Sequence, residues 1–387
     1  MSSIDMTICK PLSGQNTRWL SGVLLSGWVC CVCANPFNPD ISLILDGIYK
    51  TENTALSEYE SGFGLGHTEL SMRGAVDDQF YGSLSAVLES HAGATEVELE
   101  EVYINTIGLP AGLDIRAGRF LSQIGYLNSH HTHSDLFTER PAVYRALLGA
   151  HYFDDGVRMN VLLPTPFYWR MGVEAFNGRL LTGGESTDDI GVYTLNSRWG
   201  GDFLGSNSWQ LGVSWLKNWH DPVEEAEDHD DGEDGHDPDG HAHSHDAAYS
   251  GENMFIADAV WKWAPHGNAQ LGQLILAGEY FYVDDLNEYA TDDDFNEGWY
   301  ASVVYRFNPR WSAGVRYGNV ELKEIHGDHF HDQQLEEGNV MLAWSPSHFS
   351  TVRLQYTNQQ GEGFDELNDA ITLQYVMSLG AHGAHEF

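Results

Sequence analysis

Cysteine, basic charge and proline are scarce in this 387-residue chain, and each scarcity excludes something. All four cysteines (Cys9, Cys30, Cys31 and Cys33) fall in the first 34 positions, so the remaining 353 residues have no disulfide framework. Lys and Arg number 19 against 57 Asp and Glu, a formal charge of −38. Setting aside Lys10, Arg18 and Asp5 leaves 17 basic and 56 acidic residues from position 35 onward. This balance excludes nucleic acid as a partner, because phosphate backbones need clustered Lys and Arg. It favours cations, or simple solubility. Beyond position 34 no apolar run approaches the 18 or so residues of a membrane-spanning helix. Nor is there a G-x-S-x-G, an H-E-x-x-H or another motif with a catalytic mechanism attached. His and Asp are abundant, but abundance is not a constellation, and an outer-membrane hydrolase is the weakest reading.

What is present points to β structure. Aromatics make up 12% and glycines number 41, against 12 prolines. That is too aromatic for disorder and too Gly-rich for a helical bundle. Residues 1–34 read as a cleaved signal peptide. Lys10 and Arg18 form its positive region, "WLSGVLLSGWVCCVCA" (Trp19–Ala34) its apolar run, and Val32 and Ala34 fit the −3 and −1 positions of a cleavage site. The run is shorter than the roughly 20 residues of an anchor, and no cysteine follows a good lipobox. Residues 35–387 are expected to form a single domain.

Apolar residues then alternate with polar ones. In "WYASVVYRF", Trp299, Ala301, Val303, Tyr305 and Phe307 share a face; in "DAITLQYVMSL", Ile371, Leu373, Tyr375, Met377 and Leu379 do. Period 2 is the signature of a strand with unlike faces. A soluble sandwich would alternate too, so spacing must arbitrate. Strands are expected near 39–50, 63–77, 79–91, 96–108, 112–122, 152–163, 166–177, 189–200, 208–219, 253–264, 269–283, 297–308, 310–322, 337–345, 348–358 and 369–379. Short turns such as "VDDQ", "LPTP" and "NPR" alternate with long acidic links. Sixteen strands, short turns at one end and long loops at the other define a transmembrane antiparallel β-barrel. Lipid offers no hydrogen-bond partner, and only a closed barrel leaves no edge unpaired. Trp209, Trp219, Trp261, Trp263, Trp299, Trp311 and Trp344 lie near strand ends, as interfacial girdles do, and Phe387 is a terminal aromatic of the kind seen in bacterial barrel proteins.

The segments "AGRFLSQIGYLN" (Ala117–Asn128), "ERPAVYRALLG" (Glu139–Gly149) and "YFDDGVRMNVLLP" (Tyr152–Pro164), with a long third loop between them, resemble bacterial porins of the phosphate-selective O/P-like group, and more closely zinc-associated outer-membrane porins with His-rich loops. The resemblance implies an outer-membrane location among lipid and lipopolysaccharide, passage of small hydrophilic solutes or metal ions, and a homotrimer. The chain is too short for the plug and roughly 22 strands of a TonB-dependent receptor. Phosphate-selective members use Lys and Arg, which are few here.

Two sets of candidate residues follow. If the apolar faces meet lipid, then Arg73, Arg116, Arg158, Arg170, Arg306, Arg316 and Arg353 face the lumen. Exclusion of Arg from the lipid face explains their direction; a selectivity wall facing Asp135 and Glu139 of the third loop (123–151) would explain their identity. The second set is histidine. His130, His131 and His133 fall in the third loop, His326, His329 and His331 in another long loop, and His229, His236, His241, His243 and His245 in the tract "HDDGEDGHDPDGHAHSHD" within a loop spanning 220–251. All three groups are expected on the extracellular side. Imidazoles and carboxylates on flexible segments suit transient capture of Zn²⁺ or another divalent transition metal; no resident cofactor is required. The bland alternative is a solvated acidic loop. The sequence thus favours a passive channel with metal-capturing loops, with an anion-selective porin carrying incidental histidines as the alternative.

Overall fold

The computed structural model describes residues 39–91, 94–181, 190–220, 251–326 and 329–380. Among the described residues, seventeen strands form one antiparallel sheet. They are β1 (Asp40–Lys50), β2 (Gly62–Leu65), β3 (Thr68–Ala75), β4 (Phe80–His91), β5 (Ala94–Thr106), β6 (Leu113–Leu121), β7 (Phe153–Leu162), β8 (Tyr168–Phe176) and β9 (Val192–Phe203). The series continues with β10 (Asn207–Asn218), β11 (Asn253–Trp263), β12 (Gln273–Asp284), β13 (Asn296–Asn308), β14 (Trp311–His326), β15 (His329–Ser347), β16 (Ser350–Glu362) and β17 (Ala370–Gly380). Strands β2 and β3 both pair with β1, along Gly47–Lys50 and Asp40–Ile44 respectively. They are therefore two halves of one stave, interrupted at Gly66–His67, and the barrel has sixteen staves. It closes through β1 and β17, from Ser42 opposite Gly380 to Lys50 opposite Thr372.

The expected strands have their counterparts within a few residues, except around 323–336. There β14 and β15 continue as a paired ribbon to a tip at His326 opposite His329. Apolar alternation is too sparse to reveal this stretch, whose apolar residues Ile325, Phe330 and Leu335 join the lumenal cluster among charged and polar neighbours. Cross-strand contacts hold it instead, including the Lys323–Asp332 ion pair at 2.6 Å.

Alternation sets the two faces. Val303, Val315, Leu342 and Leu354 point outward and exposed, and Val340 is 56% exposed. Aromatic pairs flank this band, Trp311 with Trp344 at 6.2 Å on the short-turn side and Trp299 with Tyr317 at 5.8 Å on the other. The inner face is polar near the short turns and becomes apolar toward the long loops. Phe176, Ile256, Phe281 and Val320 there pack against the third loop, whose helix α1 (Ala142–Leu148) buries all seven of its side chains. Gly149 closes that helix at φ 56°, in the left-handed region. The apolar core of this barrel is thus inside the lumen.

An Arg on the outward face at mid-barrel costs about 2–4 kcal/mol. Val315→Arg is expected to lower stability by that amount, while Ser302→Arg, on the lumenal parity, should cost far less. Urea unfolding of protein folded into vesicles measures both.

Candidate functional site

The third loop leaves the wall after β6, runs through the lumen and rejoins it at β7. Its backbone donors would be orphaned inside the barrel, and buried donors need partners. Strand side chains supply them. Glu174 accepts Gln123 N–H at 3.0 Å and is held by Arg158 Nε at 2.6 Å and Thr194 Oγ1 at 2.6 Å. Glu279 accepts Tyr126 N–H at 2.7 Å, Leu127 N–H at 3.1 Å and the hydroxyls of Tyr144 and Tyr300 at 2.9 and 2.8 Å. Ser214 Oγ receives Gly125 N–H at 3.1 Å, and Gln355 Oε1 receives Thr138 N–H at 3.1 Å.

Ion pairs reinforce these anchors. Lys50 Nζ lies 3.2 Å from Glu139, whose carboxylate also accepts Ser57 Oγ at 2.6 Å and Glu58 N–H at 3.2 Å. Burial alone would raise the Glu139 pKa, but Lys50 and Arg145 outweigh it and bring it to about 2. Asp135 pairs with Arg140 of its own loop at 2.5 Å. Arg145 binds Glu337 and donates to the Leu56 carbonyl at 2.9 Å. Arg316 donates to the Glu139 carbonyl at 2.8 Å and to Asn339 Oδ1 at 2.8 Å.

The arginines expected on the lumenal face occupy several settings. Arg158, Arg316 and Arg353 are buried, the last donating to Gln374 Oε1 at 2.7 Å. Arg116 stacks on Tyr103 at 3.8 Å and lies 3.9 Å from Glu101. Arg73 and Arg306 are half-buried on the lumenal parity of β3 and β13. Arg170 lines a cavity of about 400 Å³ with His130, Tyr168, Arg198, Asp202 and Gln210. Asp135 and Glu139 are buried anchors of the loop, and Asp135 also lines a smaller cavity with Arg316.

The histidines divide. His130 lines the cavity, its ring Nδ1 2.8 Å from the Tyr126 carbonyl, and burial brings its pKa down to about 3, so it is neutral. His131 and His133 turn the opposite way, into a buried group with His67, Glu69, Glu100 and His151. His131 Nδ1 is 2.9 Å from Glu100 Oε2 and 3.4 Å from Glu69 Oε2, and its Nε2 is 3.2 Å from Glu101. His133 Nδ1 is 2.9 Å from Glu69 Oε2, and His151 Nε2 is 2.9 Å from Glu100 Oε1. Burial disfavours the His131 imidazolium, yet Glu69 and Glu100 hold its pKa well above the ordinary value; His133, where burial prevails, falls to about 4. His329 and His331 are exposed near the tip of the β14–β15 ribbon, beside the backbone of His326. His229, His236, His241, His243 and His245 lie outside the described residues.

Parity would have found several of the residues missed from sequence. Arg198, Glu174, Glu279 and Glu337 all alternate with outward apolar neighbours. The glutamate pair Glu100–Glu101 also gave a signal: adjacent strand residues face opposite ways, so two neighbouring carboxylates in a barrel strand call for a bulge. That bulge is present: Glu100 is the extra residue of β5, opposite the step from Ser85 to Ala86 of β4. His67 and His151 gave no signal: His151 closes the third loop, and nothing local says that the loop brings it beside His67.

Sixteen staves, a third loop folded inward and a polar lumen with an outward apolar band define an outer-membrane β-barrel of porin architecture. The structure is similar to a loop L8 deletion mutant of OmpT, an outer membrane protein of Vibrio cholerae also described in a trimer form, with TM-score 0.58 and 9% identity over 89% of this chain and all of that one. It is similar also to the anion-selective porin from Comamonas acidovorans, with TM-score 0.55 and 11% identity over 89% and 99% of the two chains. An uncharacterized protein of Aquifex aeolicus is 27% identical over 91% of this chain and 80% of that one. No family model matches.

Because Glu139 has its pKa near 2 in the fold against an ordinary 4.5, its stabilisation is fully present above about pH 4.5 and is lost as pH falls toward 2. Wild type should lose stability relative to Glu139→Gln across that window, as read by urea midpoints at stepped pH. Lys50→Met leaves a buried carboxylate unpaired and is expected to destabilise at neutral pH by about 3–5 kcal/mol.

Proposed function

We propose that this protein is a passive outer-membrane channel for small hydrophilic solutes and ions, and not an enzyme. The observation behind this reading is the third loop itself. It is fastened to the inner wall by buried acceptors and ion pairs, and beside it remains the cavity of about 400 Å³ lined by Arg170 and Arg198. A fixed constriction with charged walls suits selective diffusion, where contacts must be weak enough for release.

Above this constriction, histidine-rich external segments concentrate divalent transition metal, Zn²⁺ foremost. The sequence of 229–245 and the exposed His329 and His331 support this, together with the acidic charge that raises local cation concentration. A homotrimer in lipid and lipopolysaccharide is the proposed assembly.

An anion-selective channel is the second reading, favoured by the two arginines on the cavity wall against the single carboxylate of Asp202. Planar-bilayer recording under a salt gradient separates the two. Reversal toward the cation potential, with current altered by micromolar Zn²⁺ and less so after deletion of 229–245, is expected for metal capture. Reversal toward the anion potential, reduced by Arg170→Gln and Arg198→Gln, would replace it with the second reading. Absence of any conductance would remove the channel altogether.

A further inference from the structure

The buried histidine–glutamate group contains more ligand chemistry than a channel wall needs. His67, Glu69, Glu100 and His131 each offer one atom, and all four atoms lie within 4.8 Å of one another. His131 Nδ1 stands 2.9 Å from Glu100 Oε2 and 3.4 Å from Glu69 Oε2, while His67 Nε2 stands 3.7 Å from the other Glu100 oxygen, Oε1, and 3.9 Å from Glu69 Oε2. Around Zn²⁺ with bonds of about 2.0–2.2 Å, tetrahedral ligands stand roughly 3.4 Å apart. The four ligand atoms thus stand close enough together for small side-chain rotations to bring them round one such ion.

Charge points the same way. Several other buried carboxylates on or against the loop have cationic partners: Glu139 has Lys50, Glu174 has Arg158, and Glu337 has Arg145 and Arg316, while Glu279 is held by amides and hydroxyls. Glu69 and Glu100 are 0% and 1% exposed, and their ion pairs among the described residues are all to imidazoles. Two adjacent buried carboxylates need about two positive charges. Two further imidazoles outside the four approach the same carboxylates, His133 Nδ1 at 2.9 Å from Glu69 Oε2 and His151 Nε2 at 2.9 Å from Glu100 Oε1.

The surroundings orient the ligands. Glu69 Oε1 is held by the Ser71 and Ser85 hydroxyls, which leaves Oε2 aimed at the imidazoles. Glu101 takes the far nitrogen of His131 at 3.2 Å, and is itself held by Leu121 N–H at 3.2 Å and by Arg116. A carboxylate behind a ligating histidine fixes its tautomer and raises its basicity. Both breaks in the neighbouring ladder serve this spot. The interruption at Gly66–His67 turns His67 inward, and the bulge in β5 lets Glu100 and Glu101 share the inner face.

We infer that His67, Glu69, Glu100 and His131 form a binding site for one divalent first-row transition-metal ion, which pins the third loop to the β3–β5 wall. Two imidazole nitrogens with two carboxylate oxygens suit Zn²⁺ and its neighbours rather than Ca²⁺ or Mg²⁺. This site is distinct from the external histidine tract, and its binding does not depend on the channel reading.

The test uses the full-length folded barrel in detergent, stripped with a chelator and titrated with Zn²⁺ and with Co²⁺ as a spectroscopic probe. Deletion of 229–245 removes the competing tract. Expected are one tightly held ion per chain in the deletion protein, visible Co²⁺ bands of a low-symmetry site, and loss of both in the same protein with Glu69→Gln and Glu100→Gln. A deletion protein that takes no ion, or a folded double variant that binds as its parent does, overturns the site. If the double variant fails to fold, Glu101→Gln decides: affinity weaker by about 10–100-fold supports the site, and unchanged affinity overturns it. Conductance recorded on the same samples is a separate readout, so loss of the channel reading and loss of the metal site are distinguishable.

Discussion

Lipid cannot hydrogen-bond to a peptide group, and the rest of this structure depends on that constraint. Every strand must find two neighbours, so the sheet must close, and it does so where β1 meets β17. Once closed, the barrel has only an outside that must be apolar and an inside that is free to be anything else. The whole of the chain's polar chemistry is pushed inward or beyond the membrane. The strong excess of acidic residues then becomes a problem of the interior, and the lumenal arginines are its nearest remedy.

The third loop solves the same problem from the other side. A segment of thirty or so residues inside a barrel cannot form a ladder with the wall, because the wall's backbone groups are already committed. Side chains must stand in. Glu174 and Glu279 each gather several loop donors, Lys50 and Arg316 take the carboxylate and the carbonyl of Glu139, and the loop's own Arg145 reaches out to Glu337 and the Leu56 carbonyl. The apolar cluster around Tyr144, Leu147 and Phe281 then excludes water from those contacts. Constriction and core are one object here, so the aperture is as well determined as a packed interior.

The barrel was legible in the sequence because its rule is local: alternation over ten residues, repeated sixteen times, with turns between. The lumenal direction of Arg158, Arg316 and Arg353 followed from the same rule. The rule failed where apolar residues become sparse, in the outer half of the β14–β15 ribbon, where Ile325, Phe330 and Leu335 stand among charged and polar neighbours. The site was only partly legible, because it depends on pairings remote in sequence. Glu139 meets Lys50 across 89 positions, and His131 meets Glu100 across 31. Three neighbouring histidines looked alike as residues 130, 131 and 133, yet one turned to the cavity and two to the wall. Nothing in "HHTH" distinguishes them; the direction comes from the anchors on either side.

The bulge in β5 has a consequence of another kind. Removing one residue at Glu100 would repair the ladder and give β4 and β5 uninterrupted pairing, a locally better sheet. It would also leave one glutamate where two now stand side by side. Of the two that remain useful only together, one would be gone: the acceptor that faces the imidazoles or the one that steadies them from behind. Perfect regularity at this point is therefore incompatible with the cluster, and a more regular barrel would be a chemically poorer one.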